Sequence, residues 1–343
     1  LGVFALTFSS GATLYNAGVL IGDITMERLY SQASDGWRML ATPVAGVNYS
    51  DLNSTFETQG RAWASTSLGD ANLAIMDFGL QDWTPQDGAD ASFALGTGYI
   101  FYMYTDDELG AAVLPATWSV TGAPGGVASQ PLAWNTNSAD SYNYVGNPTT
   151  TNLDWDAVVE ASTSLDVTYS TWDPFLTPNG GLTGYKYYNS VSGVGDAGRY
   201  IPPFTAFMAQ PTASTGTIEF PTSEAANMAA ANYFGKSSHS AAENSGPSPY
   251  LRLQVEGNKM AEVETYLIFD PRATDESDDF DVVRMRPFSN DFVALNVLSP
   301  TSRMAFDGRS MASGQQRYSV ELLSNRQGIY EVSWPDWNCL LYT

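Results

Sequence analysis

A run of carboxylates at residues 275–281 is the segment of this sequence whose side chains are best suited to chemistry, with five acids in seven residues. Hard cations such as Ca²⁺ take oxygen ligands, which clustered carboxylates and carbonyls supply. The sequence therefore predicts a calcium site. The candidate ligands are Asp275, Asp278, Asp279 and Asp281. The run lacks the glycine and the terminal glutamate of an EF-hand loop. The alternative interpretation is a solvated acidic turn that Phe280 anchors to the core.

Histidine and cysteine are each present once, as His239 and Cys339. Ser-His-Asp and Cys-His catalysis needs a histidine held in place by its neighbours, whereas His239 lies in a serine-rich stretch typical of a solvated loop. A zinc site needs three or four protein ligands, more than these two residues supply. We therefore expect neither chemistry, and a single cysteine cannot form an internal disulfide.

Paired carboxylates are the remaining route to an enzyme, because a glycosidase needs two acids at a suitable separation. Two groups of acids are close in sequence: Asp154, Asp156 and Glu160, and Asp106, Asp107 and Glu108. Asp154 and Asp156 flank Trp155 in a motif that occurs earlier in the chain with Asn48 and Ser50 in their places. Because one copy of the motif lacks the acids, we interpret it as structural and expect the chain not to be an enzyme.

Tryptophans could bind a polysaccharide by stacking on sugar rings. The candidates are Trp63, Trp83, Trp118, Trp134 and Trp172. In β-sandwiches most tryptophans lie in the core, because burying one removes a large apolar area from water. Carbohydrate binding is therefore an alternative and not the leading hypothesis.

The elements that must position these residues are predicted to be strands. Aromatic residues make up 13% of the 343 residues and charged residues 15%, and polar turn residues separate short apolar runs, as is typical of β-sandwiches. Helical patterning is confined to residues 155–161 and 223–233. The predicted fold class is all-β, with tandem β-sandwich domains.

The charge of the chain limits its partners. Its 37 acidic and 15 basic residues give a net charge of −22. Nucleic acid and anionic membrane surfaces are bound by clustered cations, so neither is expected as a partner. No apolar run approaches the ~20 residues of a membrane helix, so no membrane insertion is expected. Dispersed negative charge keeps a protein soluble in salty water, and cation capture is the sharper alternative.

An internal repeat appears when the chain is shifted against itself by about 105 residues. Three pairs of segments align in the same order: 37–43 with 142–148, 48–52 with 154–158, and 98–103 with 203–208. Each copy starts with an aromatic strand that stops at a proline, which cannot continue a central ladder. Two tandem copies of one β-module explain this pattern.

The predicted division of the chain follows from the repeat. It comprises N-terminal strands at 1–30, a first sandwich module at 31–125, a duplicate of it at 126–234, a linker at 235–249 and a C-terminal sandwich domain at 250–343. The spacing of the first thirty residues suits either the end of a β-solenoid or the edge strands of a sandwich. The polar stretch punctuated by Pro and Gly before Tyr250 predicts the linker.

Several motifs resemble a known family. Tyr144-Val145-Gly146-Asn147-Pro148 followed by Leu153-Asp154-Trp155 is similar to its "W-N-L-V-G-N-P-Y-P…I-D-W" motif. Residues 36–44 with Gln59-Gly60 resemble the companion "G-W-R-L-L-G-S-P-V…T-Q-G" motif, and residues 201–207 resemble "I-A-P-F-Q-A-F". Ala273-Thr274-Asp275 with Phe280-Asp281 resembles a later acidic turn. These motifs occur in large secreted surface proteins of the Bacteroidetes and their relatives, exported by the type IX route.

The resemblance implies an extracellular or cell-surface protein of several β-domains. The start of the chain lacks a basic segment and an initiator Met, which predicts that any signal peptide has been removed. We expect a structural or adhesive protein that assembles through sheet edges into a filament or sheath, with other copies of itself or other surface proteins as partners. A carbohydrate-binding module of a surface adhesin is the alternative, and a secreted glycosidase is the third.

Overall fold

A computed structural model describes most of the chain. The described residues are 7–8, 12–14, 22–31, 35–79, 82–88, 91–107, 113–135, 141–173, 184–223, 226, 248–258, 260–285, 292–300, 302–311 and 316–338. The predicted linker lies outside this part of the chain except for its last two residues, and so do His239 and Cys339.

Strands are the main elements of the chain. The first fifteen are β1 (Thr7–Phe8), β2 (Ile24–Tyr30), β3 (Gly36–Leu40), β4 (Val44–Ala45), β5 (Leu73–Asp77), β6 (Asp82–Pro85), β7 (Tyr99–Met103), β8 (Ala116–Pro124), β9 (Ser129–Pro131), β10 (Asn143–Gly146), β11 (Leu153–Asp154), β12 (Leu165–Asp173), β13 (Gly184–Asn189), β14 (Tyr200–Ile201) and β15 (Ala206–Pro211). The rest are β16 (Thr217–Glu219), β17 (Tyr250–Gly257), β18 (Met260–Phe269), β19 (Val282–Val283), β20 (Val293–Leu298), β21 (Arg303–Arg309), β22 (Val320–Ser324) and β23 (Tyr330–Asn338). A 3-10 helix, η1 (Tyr49–Ser54), and a short α-helix, α1 (Trp155–Ala161), accompany them.

Two compact units divide the chain. The first comprises residues 1–166 and 200–231, and the second comprises residues 167–199 and 232–343. The boundary at residue 166 falls within β12. The two units do not coincide with the predicted repeat, because residues of the predicted second module, 126–234, occur in both units. The module boundaries therefore stay a prediction.

The first unit contains two four-stranded sheets that enclose an aromatic core. Their strand orders are β1-β2-β8-β4 and β3-β7-β5-β6. Strand β2 alternates buried and less buried residues, as expected for a strand with one face on a core. The core includes Trp118, Phe101 and Tyr49, whose rings meet their neighbours largely edge-on. Edge-on contacts between aromatic rings are favourable because of the ring quadrupoles.

The same succession of elements occurs twice within the first unit. Strand β3 pairs antiparallel with β7, and β10 pairs antiparallel with β15. A short helix follows each first strand, after Asn48 in one case and Asp154 in the other. Asn48 then bridges to Ser92, as Asp154 pairs with Tyr200. Outer pairs β2·β8 and β9·β16 complete the correspondence. This is the arrangement that a duplication predicts.

The second unit is built on a seven-stranded sheet. Its order is β22-β20-β21-β18-β17-β23, and β19 pairs with β21 beside this path. Strands β17 and β20 are not neighbours in the sheet, yet Leu253 and Val255 of β17 pack against Val293 and Leu295 of β20. The sheet must therefore curl, and these side chains line its concave face. Among the strands that the structure describes, β22 and β23 form the two edges of this sheet.

The predicted all-β class is confirmed, because strands dominate and helices are short. The predicted helix at residues 155–161 has the bounds of α1. Strand β2 pairs with β8 along seven residues, from Ile24 opposite Gly122 to Tyr30 opposite Ala116. Strand β2, which lies within the first thirty residues, therefore belongs to a sandwich-like sheet.

Candidate functional site

The acidic loop, residues 275–281, connects β18 to β19 in the second unit. Buried residues hold both of its ends, namely Ala273 before it and Phe280 within it. The guanidinium of Arg272 lies over the ring of Phe280, with its central carbon 5.1 Å from the ring centroid. The predicted anchoring role of Phe280 agrees with this burial.

Carboxylates of the acidic loop accept hydrogen bonds from the loop itself. Asp278 accepts from the backbone N–H of Thr274 at 2.6 Å and from its hydroxyl at 2.9 Å. Its other oxygen accepts from the backbone N–H of Phe280 at 2.9 Å. Asp281 accepts from the N–H groups of Asp278 at 3.1 Å and Gly308 at 2.9 Å. These two side chains therefore shape the turn.

Arginines compensate part of the negative charge near the acidic loop. Arg309 bonds Asp307 at 2.7 Å and lies 3.7 Å from an oxygen of the exposed Asp275. Beside the loop, the hydrogen bond from Arg272 lowers the pKa of Asp270 to about 2. Both arginines supply local charge compensation of the kind that a bound cation would otherwise supply.

Burial gives Asp281 an unusual titration. Desolvation raises its pKa to about 6, although the hydrogen bonds from Gly308 and Asp278 act in the opposite direction. Negative charge on Asp307 and Asp278 adds to the increase. The pKa of Asp307 is also raised, mainly by its own burial.

The four predicted calcium ligands are near one another in sequence, but the structure gives them different surroundings. Asp278 and Asp281 are engaged within the turn, and Asp275 faces Arg309. The backbone carbonyl of Asp279 accepts a hydrogen bond from the side-chain amide of Asn189 at 2.7 Å. Across the described part of the chain, no three acidic, histidine or cysteine side chains are grouped to hold a metal ion. Calcium binding stays a prediction.

Of the acids considered for a glycosidase, Asp154 has a structural role. This carboxylate is 6% exposed and accepts a hydrogen bond from the backbone N–H of Asp156 at 3.2 Å, which caps α1. In the first copy, Asn48 precedes η1 and donates its backbone N–H to Asp51 at 2.8 Å. Both copies therefore use polar residues here to start a short helix. Asp106 and Asp107 lie in the described loop after β7, and Glu108 lies outside it.

Most of the predicted sugar-binding tryptophans are core residues. Trp63, Trp118 and Trp172 are buried. Trp83 packs edge-on against Tyr144, with ring centroids 4.5 Å apart. Trp134 is partly exposed, and a tryptophan outside the predicted set, Trp334, is 67% exposed.

The edge strand β22 bears exposed apolar side chains. Its residues Val320 and Leu322 are 43% and 41% exposed. They stand opposite Val297 and Leu295 of β20, whose side chains are buried in the sheet's apolar clusters. Because cross-strand partners share a face, Val320 and Leu322 extend the concave apolar face to the edge of the sheet.

The other edge, β23, extends the same face. Val332 is 44% exposed and stands opposite the fully buried Val255 of β17. Tyr330 packs against the cluster that Val255 belongs to. We call β22 and β23 together the open edges. The sequence predicted strands at residues 316–322 and 329–334, but the loss of a neighbour on one side is a property of the sheet and has no local signal.

The described residues define an all-β protein with sandwich-like sheets and two apolar edge strands, each paired on one side. Comparison with known proteins adds no relative: no family model, no curated protein and no solved structure matches the chain. None of the helices in the described residues is long and apolar enough to cross a membrane.

Proposed function

We propose that this chain is an extracellular structural or adhesive protein, and not an enzyme, which assembles with other polypeptides through the edges of its sheets. The observation that carries the proposal is the apolar surface of the open edges, where Val320, Leu322 and Val332 continue a buried face into solvent. The buried parts of this face hold the sheet together, and its exposed margins are available to a partner.

Edge strands are ready sites for association. Each presents a row of unpaired N–H and C=O groups that another strand can satisfy. Proteins that remain monomeric blunt such edges, and contiguous exposed apolar surface marks sites of interaction. Strand addition combines main-chain hydrogen bonds with side-chain contacts at alternate positions. The open edges offer both.

The localisation is proposed from the motifs in the sequence. Tyr144-Val145-Gly146-Asn147-Pro148 and the companion motif near Trp37 occur in the order found in surface proteins exported by the type IX route in the Bacteroidetes. Adhesive sheet edges suit a secreted protein at the cell surface, because they can bind neighbouring polypeptides. Export and surface location rest on this resemblance alone.

Sedimentation velocity of the purified chain, with electron microscopy of the same samples, tests assembly. We expect larger species as the protein concentration increases. Salt should favour them, because screening weakens the repulsion between copies that each carry a charge of −22. A chain that stays monomeric at every concentration and salt would remove self-assembly, and the proposal would then need a different surface protein as partner.

Carbohydrate binding is a second candidate, and the exposure of Trp334 favours it. An exposed indole offers a flat apolar face on which a sugar ring can stack. Glycan-array screening of the wild type and of Trp334→Ala tests this candidate. Binding that the substitution abolishes would support it, and a blank array with the wild type would eliminate it.

A further inference from the structure

We propose that the two open edges are complementary to each other, so that β22 of one copy pairs with β23 of the next and extends the seven-stranded sheet from copy to copy. This inference rests on the proposed function and names its partner, a second copy of this chain. It follows from the lengths and side-chain patterns of the two edges, from the backbone groups of β22 and from the charges near both edges.

The lengths and side-chain patterns of the edges agree. Strand β22 has five residues, Val320–Ser324. In β23, five residues from Tyr330 onward precede Pro335, which has no N–H and ends an uninterrupted row of donors. A shift in the register between β17 and β23 falls at the same place. Val320 and Leu322 on one edge match Val332 on the other, because all three lie on the concave apolar face.

Backbone groups of β22 point away from the sheet at alternate residues. The N–H of Leu298 donates to the carbonyl of Ser319 at 2.9 Å, so residue 319 faces β20. In an antiparallel ladder the hydrogen-bonded residues alternate. Val320, Leu322 and Ser324 therefore direct their N–H and C=O groups to the free side. A strand placed there finds three residues ready to pair.

Arginines surround β22, although the chain as a whole is strongly acidic. Within residues 316–329 the charged side chains are Arg317, Glu321 and Arg326, and Glu321 accepts a hydrogen bond from Arg303 at 2.5 Å. Three cations thus accompany one anion at this edge, in a chain whose net charge is −22. The edge attracts an acidic strand.

Acids occupy the other edge. Glu331 of β23 stands directly opposite Glu256 of β17, and like charges at opposed positions destabilise a sheet. The arginines that flank β22 in the next copy, Arg317 and Arg326, would offset that negative charge. Pairing β22 with another β22 would instead bring its flanking arginines together, and pairing β23 with another β23 would bring glutamates together. The charges therefore favour head-to-tail contact, which propagates into a filament unless it closes into a ring.

Two blocking substitutions test the head-to-tail arrangement. Leu322→Lys places a charge on the apolar face of β22, and Val332→Lys does the same on β23. We expect each variant to sediment as a monomer under conditions in which the wild type assembles. Mixed in equal amounts, they should form a dimer and nothing larger, because each variant keeps the edge that the other has lost. Leu68→Lys, at an exposed apolar residue of the first unit, is the matched control and should assemble like the wild type.

The outcomes separate the alternatives. A Val332→Lys variant that dimerises alone would indicate β22 against β22, and a Leu322→Lys variant that dimerises alone would indicate β23 against β23. Either result overturns the head-to-tail proposal, as does a mixture that contains only monomers. Wild-type assembly that neither substitution affects would overturn it too, while leaving assembly itself intact. A wild type that never assembles would instead remove self-assembly altogether.

Charge reversal tests the electrostatic argument independently. Glu331→Arg should raise the concentration needed for assembly by about tenfold at low salt, because it replaces an acid with a cation near the arginines that flank β22. Glu276→Arg changes the net charge by the same amount in the acidic loop, outside both open edges, and should not raise that concentration. Equal behaviour of the two variants would contradict the proposed pairing of charges.

Discussion

The surroundings of Asp281 raise the pKa of its carboxyl group. Its carboxylate is partly buried, has Asp307 and Asp278 as negative neighbours, and has a pKa of about 6 where 3.8 is ordinary. A folded-state pKa above the unfolded value means that the folded protein binds the proton more tightly. The contribution of this group to stability therefore increases as the pH decreases from about 6 towards 4, and is lost as the pH increases.

Replacing Asp281 with Asn should expose this dependence. We expect the melting temperature of the wild type relative to Asp281→Asn to increase when the pH is lowered from 7 to 5, because the variant has no carboxylate at residue 281 to take up a proton. Thermal unfolding followed by circular dichroism measures the difference. Glu276→Gln removes one negative charge from the same loop and corrects for the general effect of net charge. A difference that is constant between pH 7 and pH 5 would contradict the raised pKa.

Asn147 shows what the repeated segment that ends at Pro148 does at the level of atoms. Its buried amide donates to the carbonyls of Thr151 and Ile201, each at 2.9 Å, and its oxygen accepts from the N–H and hydroxyl of Thr149. In the first copy Thr42 stands at the same place before a proline, and its buried hydroxyl has no hydrogen-bond partner. The motif residue is thus a structural corner in one copy only.

The two positions should respond oppositely to substitution. Asn147→Ala should cost roughly 3 kcal/mol or more, because it leaves several buried groups without partners. Thr42→Val should be neutral or stabilising by about 1 kcal/mol, because it removes a buried hydroxyl that makes no hydrogen bond. Urea unfolding of the two variants gives both values. Similar losses of stability at both positions would contradict this expectation, because they would mean that the hydroxyl of Thr42 stabilises the fold.

At the scale of the strands, close packing limits which side chains fit between neighbouring segments. Gly146 ends β10, and a Cβ at this position would lie 2.6 Å from both the Cβ of Ala41 and the carbonyl oxygen of Thr97. The backbones of the two repeated segments therefore approach each other as closely as glycine permits. A side chain here must push β10 away from its neighbours.

Gly146→Ala should consequently destabilise the first unit by about 2 kcal/mol, which is the usual cost of overpacking a core. The matched control is Gly79→Ala, where a Cβ would meet only a side-chain oxygen of Asp77, at 3.3 Å. Urea unfolding followed by tryptophan fluorescence compares the two variants. Equal stability of the two variants would show that the contact at Gly146 relaxes without cost.

Local patterns in the sequence predict these elements better than their partners. The helix at residues 155–161 and the strands at 250–255 and 261–269 are evident from periodicity and β-branched residues. The parallel pairing of β18 with β21 depends on residues far apart in the chain, for which no local pattern exists. For the same reason the acidic loop was visible as five acids in seven residues, whereas the open edges were not visible.

At the scale of the whole molecule, charge and apolar surface act against each other. A net charge of −22 repels other copies, whereas in the proposed assembly the open edges attract them where arginines offset the acids. Composition alone predicted the β-rich class, which the structure confirms, and predicts that nucleic acid is not a partner. It could not predict which strands would be left unpaired, because that depends on the order of strands in the sheet.

Hydrogen exchange at β22 tests most directly whether the open edges are the surfaces of assembly. The chain is compared when dilute and when concentrated in salt, and the exchange of the amides of Val320, Leu322 and Ser324 is followed by mass spectrometry with fragmentation. We predict that these three amides exchange freely in the dilute protein and become protected on assembly, because a neighbouring strand then accepts their hydrogen bonds. Exchange at these amides that remains equally fast in monomeric and assembled protein would contradict assembly through this edge.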